Sequence, residues 1–259
     1  PIAVLQPRFG CANRATKSKK GSFCYAKAMV IKMERVLLTL AGQDDFFTNE
    51  AYKTLRTNLQ FCGKDIRVIG ITSCSENEGK TTIVLNTAKS FSELGKRVLV
   101  IDADMRKSVI AGRNTDATDV VGLSEVLTGL SQLGDSLYAT QYPGLNILFS
   151  GKFPPNPVEL LGGKYFGSAI EALKNVYDYI FIDTPPLGQV IDASIVATQC
   201  DGMVLVIGNP KLHIKQVQDT VEQLKKSGCP ILGAVRNHAG SGNGYYHGGY
   251  YKKYGKYGK

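Results

Sequence analysis

The sequence predicts an α/β fold in which helices cover both faces of a mostly parallel central sheet. Six apolar runs have the length of strands, and amphipathic stretches lie between several of them. Runs that are apolar on both faces are typical of central strands in a parallel sheet, and strands that alternate with helices indicate βαβ units. The six runs are residues 66–73, 97–103, 145–150, 179–184, 202–208 and 230–237.

Three helices can be placed from local patterns. The stretches TTIVLNTAKSFSELG, residues 81–95, and HIKQVQDTVEQLKKSG, residues 213–228, both end in glycine, a common C-cap residue. A third helix is predicted for FFTNEAYKTLRTNLQF, residues 46–61, with Thr48 or Asn49 as its N-cap. No apolar run reaches the roughly 20 residues that a membrane-spanning helix requires.

The basic residues are concentrated at the two ends of the chain. The formal net charge is +9, but seven of the 31 Lys and Arg residues lie in residues 1–32 and four in residues 244–259, two segments without any acidic residue. Between them, 20 basic residues face 22 acidic ones, so the body is near neutral. We predict a flexible or non-native basic extension over residues 1–32, one domain over residues 33–243, and a low-complexity tail over residues 244–259.

The cysteines and the basic extension bear on the cellular compartment. The six cysteines are scattered, with no Cys-x-x-Cys pair and no histidine spacing that suits zinc, which favours reduced thiols in a cytosolic protein. Residues 1–32 lack the long apolar segment of a secretory signal, and Met29 or Met33 is a plausible true start. The alternative interpretation of this extension is a basic arm that contacts anionic lipid.

A phosphate-binding loop follows the first predicted strand. The stretch CSENEGKTT, residues 74–82, places Gly79, Lys80 and Thr81 at a strand-to-helix junction, where free backbone N–H groups and the helix dipole attract anions. In such a P-loop, Gly79 lets the backbone approach phosphate oxygens, Lys80 reaches the terminal phosphates, and Thr81 offers its hydroxyl to Mg²⁺. Cys74 replaces the first glycine of the consensus.

Acidic residues follow two further predicted strands. VLVIDADMR contains Asp102 and Asp104, and YIFIDTPP contains Asp183. Because the carboxyl ends of parallel strands meet at one edge of the sheet, all three carboxylates can face the loop at Lys80. Hard oxygen ligands of this kind suit Mg²⁺ bound together with nucleotide phosphates. Alternatively, each of these aspartates caps the helix that follows it.

Taken together, NEGKTT, VLVIDADMRK, FPPNPVELL, YIFIDTPP and the tyrosine-rich end resemble the bacterial tyrosine kinases of capsule and exopolysaccharide synthesis, the CpsD/CapB family. The resemblance covers about residues 44–259 and implies a kinase that uses ATP and Mg²⁺. It implies that Asp102 lies close to the incoming tyrosine hydroxyl and that Lys80, Asp102, Asp104 and Asp183 carry catalysis. The implied metal ligands are Thr81, Asp104 and Asp183. The implied nucleotide-binding residues are Glu78, Gly79, Lys80, Thr81, Thr82 and Asn237, the last at a position that resembles a base contact in related folds.

The tail GYYHGGYYKKYGKYGK is interpreted as the enzyme's own substrate. Glycine spacing keeps such a segment flexible enough to present several tyrosines in turn. The predicted phosphorylation sites are Tyr245, Tyr246, Tyr250, Tyr251, Tyr254 and Tyr257. The alternative, a sticky tail that binds RNA by stacking and charge, loses weight beside the kinase motifs, and we expect no nucleic-acid partner.

The helix predicted over residues 46–61 bears on assembly. Glu50, Lys53 and Arg56 recur every three residues along one side of it. They resemble the family's Glu-x-x-Arg-x-x-Arg subunit contact, with Lys53 in place of the first arginine, which implies a homo-oligomer, expected to be a ring. The family resemblance also implies a membrane-bound polysaccharide co-polymerase as activator, and hence a cytoplasmic protein held peripherally at the inner face of the membrane. On spacing alone, the three residues form a solvated helix face.

Two other functions remain open. An ATPase switch of the ParA or MinD type shares the sheet, the loop position and the third motif, but carries a second lysine where this chain has Ser75. A regulatory nucleotide binder without chemistry is disfavoured because Lys80 and all three acids are present. Two positions depart from the kinase pattern, since Asn77 and Ser108 stand where the family often has glycine and usually has proline.

Overall fold

A mostly parallel sheet forms the centre of the computed structural model, which describes residues 33–41, 45–209 and 211–238. Within these residues the strand order is β1-β4-β5-β3-β6-β2-β7-β8, and every neighbouring pair is parallel except β4 with β5. The strands are β1 (Glu34–Arg35), β2 (Val68–Ser73), β3 (Val98–Asp102), β4 (Tyr138–Ala139), β5 (Leu145–Leu148), β6 (Tyr179–Asp183), β7 (Gly202–Ile207) and β8 (Ile231–Arg236). The predicted α/β class is confirmed.

Helices connect most of the strands. They are α1 (Phe46–Phe61), α2 (Lys80–Ser92), α3 (Leu123–Leu127), α4 (Pro157–Gly162), α5 (Lys164–Lys174), α6 (Asp192–Ala197) and α7 (Ile214–Lys225). A π-helical turn spans Ile110–Asn114 and a 3-10 turn spans Leu133–Ser136. The prediction of Gly95 and Gly228 as C-caps is wrong, because the C-cap residues of α2 and α7 are Glu93 and Lys226. Each glycine follows its cap by two residues and has positive φ.

The N-cap prediction for α1 is wrong. The helix begins at Phe46, and its N-cap is Asp45, whose carboxylate accepts a hydrogen bond of 2.9 Å from the backbone N–H of Thr48. Thr48 is therefore a capped residue inside the first turn, because an aspartate three positions earlier already satisfies its N–H.

Helices pack on both faces of the sheet, as predicted. On one face, Phe91 of α2 packs against Phe181 of β6 with ring centroids 5.2 Å apart. On the other face, Phe166 and Ile170 of α5 join a cluster that contains Ile180 of β6. Successive residues of a strand point to opposite faces, so neighbouring residues of β6 enter different layers. Every residue of β2 and β3 is buried between these layers.

The prediction that all six apolar runs are central strands is wrong for the last. β8 stands at the end of the strand order, and Gly233, Ala234 and Arg236 in it are exposed. An apolar run shows that a strand is present but does not by itself show how many neighbours the strand has. The helices of the described ranges include none long and apolar enough to cross a membrane.

Candidate active site

The carboxyl ends of three adjacent strands form one edge of a cavity of about 540 Å³. β2 runs into the loop that precedes α2, while β3 and β6 end side by side, with Asp102 paired in register with Asp183. Lys80, Thr81, Thr82 and Asp104 line this cavity. The structure thus brings the predicted loop and strand-end acids to one place, as expected for a parallel sheet.

Backbone conformation explains why Gly79 and Asn77 suit their positions in the loop. Gly79 is the N-cap of α2 and has φ of 86°, in the left-handed region that favours glycine. A Cβ atom at Gly79 would also overlap the side-chain amide of Asn237. Asn77, which replaces a frequent glycine, has φ of 59°, and asparagine tolerates this region better than most residues. The loop therefore keeps its geometry despite that replacement.

Glu78 and Asn237 bond to the loop itself. The buried Glu78 carboxylate accepts hydrogen bonds from the backbone N–H groups of Cys74 at 3.0 Å and Ser75 at 3.3 Å. Asn237, which follows β8, donates its amide to the Glu78 carbonyl at 3.0 Å. These contacts hold the loop against the end of β8 and keep its N–H groups at the start of α2. A direct nucleotide contact by either side chain stays a prediction.

A hydrogen bond joins Thr81 directly to Asp183. The Thr81 hydroxyl donates to Asp183 Oδ2 at 2.6 Å, while the buried Oδ1 atom has no hydrogen-bond partner among the described residues. Burial raises the pKa of Asp183 to about 7, and the bond from Thr81 and the charge of Lys80 act in the opposite direction. A cation would therefore favour the charged carboxylate, so this pair fits Mg²⁺.

The described residues contain no group of three His, Cys, Asp or Glu side chains arranged to hold a metal ion. Mg²⁺ bound with a nucleotide takes only one or two carboxylates from the protein, and its other ligands are phosphates and water. Thr81, Asp183 and the nearby Asp104 match that requirement. Their role as metal ligands beside a nucleotide stays a prediction.

Asp102 and Asp104 occupy different depths. Asp104 is half-buried and lines the cavity, and its Oδ1 atom accepts the backbone N–H of Lys107 at 3.0 Å. Asp102 is only 1% exposed, because it lies at the end of β3 between the two helix layers. Burial, and then the charge of Asp183, raise the pKa of Asp102 well above its usual value. Burial also raises the pKa of Asp104, against the influence of Lys80.

Two ion pairs at the cavity escaped the sequence analysis. Arg106 bonds through Nε to Oδ1 of the buried Asp192 at 3.0 Å, and Lys107 bonds to Glu76 of the loop at 2.7 Å. The basic partners stand in the motif VLVIDADMRK, so their place near the site could be read from the sequence. Asp192 starts α6, 86 residues from Arg106, and no local pattern indicates this pairing.

The three residues of the predicted subunit contact lie along α1. Lys53 pairs with Glu50 at 2.7 Å, as their spacing suggests. Arg56 instead donates to the carbonyl of Ser90 at 2.6 Å and to its hydroxyl at 3.0 Å. Because Ser90 belongs to α2, this contact joins the helix of the subunit motif to the helix that begins at Lys80. The predicted oligomer contact stays a prediction, and the predicted phosphorylation sites lie outside the described residues.

This fold and loop define a P-loop nucleotide-binding protein. A family model described as "AAA domain" matches residues 66–229. The tyrosine-protein kinase CpsD of Streptococcus agalactiae is 43% identical over 209 residues, which cover 81% of this chain and 90% of that protein. The chain belongs to the CpsD/CapB family of bacterial tyrosine kinases, and it is a tyrosine-protein kinase.

Solved structures with the same architecture agree with this membership. The kinase domain of the Escherichia coli tyrosine kinase ETK has a TM-score of 0.70 at 28% identity and covers 77% of this chain and 80% of its own. The septum site-determining protein MinD of Pyrococcus horikoshii OT3, complexed with Mg-ADP, has a TM-score of 0.56 at 30% identity, with coverage of 68% and 72%. The fold is shared with that second class, whereas the family assignment favours the kinase over the ATPase switch.

Proposed function

We propose that this kinase transfers the γ-phosphoryl group of ATP to tyrosines of its own C-terminal tail, and that it thereby regulates capsular or exopolysaccharide synthesis and export. The observation that carries the proposal is the Thr81–Asp183 contact at the start of α2, beside the cavity-lining Asp104. An acceptor-rich tail in the same chain, with six tyrosines in residues 244–259, supplies the substrate.

The residues of the cavity have different roles in phosphoryl transfer. Lys80 and the N–H groups at the start of α2 bind the phosphates. Thr81, Asp104 and Asp183 hold Mg²⁺, which neutralises phosphate charge when bound with ATP. The tyrosine oxygen forms a bond to the γ-phosphorus while the bond from that phosphorus to the β–γ bridging oxygen breaks, and ADP leaves with the electron pair. Such transfer depends mostly on positioning and charge stabilisation, so the acceptor has to be delivered to the phosphate.

The acceptor is delivered between subunits. The Glu50–Lys53 pair presents charge on α1, and Arg56 links that helix to α2. A homo-oligomer, with a ring as its expected form, therefore places the subunit contact next to the helix that carries Lys80. Lysine lacks the bidentate fork of arginine, so the contact through Lys53 is weaker than one made by arginine. The membrane partner is a polysaccharide co-polymerase that activates the kinase and holds it at the inner face of the membrane.

Mixing two complementary variants, one without catalysis and one without the tail, tests transfer between subunits. A Lys80→Met protein that keeps its tail supplies the acceptor, and an active protein truncated after Asn243 supplies catalysis. Phosphotyrosine on the Lys80→Met chain, mapped by mass spectrometry, supports transfer between subunits. Each protein incubated alone with Mg-ATP serves as the control. An unmodified Lys80→Met chain in the mixture, with both proteins folded and the wild type phosphorylated, contradicts it.

A further inference from the structure

The segment that follows β3 brings three basic residues to the cavity, and two of them already have acidic partners. Arg106 bonds to the buried Asp192 at 3.0 Å, and Lys107 bonds to Glu76 at 2.7 Å. Arg113 is exposed and lines the same cavity, but it forms no ion pair and no side-chain hydrogen bond with any residue that the structure describes. Its positive charge is therefore free to meet a ligand that enters the cavity.

The turn that carries Arg113 is anchored at both ends. This π-helical turn begins with Ile110, which is buried in the hydrophobic core. It ends with Asn114, whose carbonyl accepts the backbone N–H of Thr39 at 2.6 Å and whose amide donates to the Thr39 carbonyl at 3.0 Å. π-Helical turns are rare and often lie at functional sites. The exposed arginine is thus held on a short turn between two fixed residues.

The same cavity contains the groups that are predicted to bind Mg-ATP. Lys80, Thr81 and Asp104 line it together with Arg113, and its volume of about 540 Å³ is that of a small-molecule site. Lys80 supplies one positive charge, whereas a transferring phosphoryl group spreads its charge over three equatorial oxygens. The planar guanidinium fork of arginine suits phosphate oxygens. Arg113 can therefore supply a second cation from a separate segment of the chain.

We propose that Arg113 is a catalytic residue that donates hydrogen bonds to the γ-phosphoryl oxygens of ATP in the transition state. The tyrosine oxygen bonds to the γ-phosphorus, the bond to the β–γ bridging oxygen breaks, and the phenolic proton passes to water. The guanidinium stays protonated throughout and stabilises the charge on the transferring group. Asn114 is a positioning residue, because it holds the turn through Thr39. This role rests on the proposed function, since the measured acceptor is a tyrosine of this chain.

The first test is the single-turnover rate of tyrosine phosphorylation of the full-length chain with Mg-ATP. Arg113→Ala is expected to lower this rate by about 10²-fold or more, as for other groups that stabilise transition-state charge. Its Kd for Mg-ATP should change far less than its rate. Arg113→Lys keeps the charge without the fork and should be intermediate. Arg35→Ala is the matched control and should react at the wild-type rate, because Arg35 is exposed on β1 and does not line the cavity.

Two further measurements separate a catalytic cation from a structural one. Guanidinium chloride at millimolar concentration should restore part of the rate of Arg113→Ala, whereas urea, a neutral molecule of similar shape, should not. ADP with aluminium fluoride mimics the transferring phosphoryl group. Its binding to Arg113→Ala should weaken by about the same factor as the rate, because a transition-state mimic requires the interactions that speed the reaction.

Asn114→Ala should slow the reaction by less than Arg113→Ala, and the double variant should be no slower than Arg113→Ala alone. A double variant that is slower by the whole effect of Asn114→Ala overturns the positioning role of Asn114.

Three results would overturn the role of Arg113. They are a wild-type rate in Arg113→Ala, no greater rescue by guanidinium than by urea, and unchanged binding of ADP with aluminium fluoride. Absence of phosphotyrosine from wild type while ATP is consumed overturns the proposed function instead. Binding of ADP with aluminium fluoride still tests Arg113 in that case, because it requires no tyrosine acceptor.

Discussion

The hydroxyl of Thr81 donates a hydrogen bond of 2.6 Å to Oδ2 of Asp183 and so joins the first turn of α2 to the end of β6. The two residues are 102 positions apart in the sequence. The contact depends on β2 and β6 being neighbours in the sheet, with Ile71 in register with Asp183. It gives the predicted phosphate loop and Asp183, the predicted metal ligand, a fixed relative position.

The first prediction is a pH dependence of stability that comes from Asp183. Burial raises the pKa of Asp183 from 3.8 to about 7, so between these pH values the folded state binds more protons than the unfolded state. The free energy of unfolding without Mg²⁺ should therefore fall as pH rises from about 4 to about 7. Urea denaturation of wild type and Asp183→Asn across this range measures the effect.

Asp183→Asn should show a shallower fall than wild type over the same range. The control is Asp135→Asn, at an exposed aspartate in the 3-10 turn, which should keep the wild-type slope. Equal slopes for wild type and Asp183→Asn would show that Asp183 ionises normally in the folded protein.

The second prediction concerns the Arg106–Asp192 pair, in which burial is unequal. The side chain of Asp192 is 1% exposed and that of Arg106 is 38% exposed. Arg106→Met should lower the free energy of unfolding by about 1–3 kcal/mol, because it leaves a buried carboxylate without its cation. Asp192→Asn should lower the free energy of unfolding by less, since water can solvate the arginine that remains. Chemical denaturation measures the free energy of unfolding of both variants. Arg113→Met, at another arginine that lines the cavity, is the control. An equal loss of stability in Arg106→Met and Arg113→Met would contradict this account.

The third prediction concerns the conformation of Gly79. An alanine at position 79 would have to adopt a positive φ, and its Cβ would overlap the amide of Asn237. Gly79→Ala should therefore disturb the loop and weaken binding of ATP. Fluorescence titration with a labelled ATP analogue measures the affinity, and Gly95→Ala is the matched control, because it has φ of 73° but open space around a Cβ. If both variants bind the nucleotide equally well, the contact with Asn237 is unimportant.

The fourth prediction concerns charge on the tail. Each phosphotyrosine adds about −1.5 to −2, so modification of all six tyrosines adds roughly −9 to −12 to a segment with four lysines. If the unmodified tail attracts neighbouring subunits, phosphorylation should release them. A tail with all six tyrosines changed to Phe should then stay assembled in Mg-ATP while wild type dissociates. Light scattering measures the mass of both, and identical assembly states would exclude this mechanism.

Much of the sheet could be predicted from the sequence because its central strands are buried on both sides. The runs that became β2, β3 and β6 are apolar at nearly every position, and that pattern requires helices above and below. β1 and β4 contain two residues each, too few to show a period. β8 carries the same apolar signal as its neighbours, yet lies at the end of the sheet, because its place depends on pairing with β7 rather than on its own composition.

The candidate site, like the sheet, could be predicted only in part from the sequence. Lys80, Asp102, Asp104 and Asp183 could be placed together because each stands at the end of a predicted strand or the start of the next helix. The partner of Arg106 could not, since Asp192 reaches it only through the packing of α6 beside β2. The depth of Asp102 was also beyond the sequence, because Asp102 is the last residue of β3 and is buried, whereas Asp104 lies in the loop that follows and lines the cavity.

The most direct test of the central claim is a map of phosphotyrosine on the full-length chain after incubation with Mg-ATP. Mass spectrometry of wild type should find phosphate on tyrosines of residues 244–259. Lys80→Met should show none, because the transferring phosphate loses its cation, and Asp102→Asn should be slower by at least about 10²-fold. A wild-type tail without phosphate while ATP is consumed, or near-normal phosphorylation in both variants, would contradict the account.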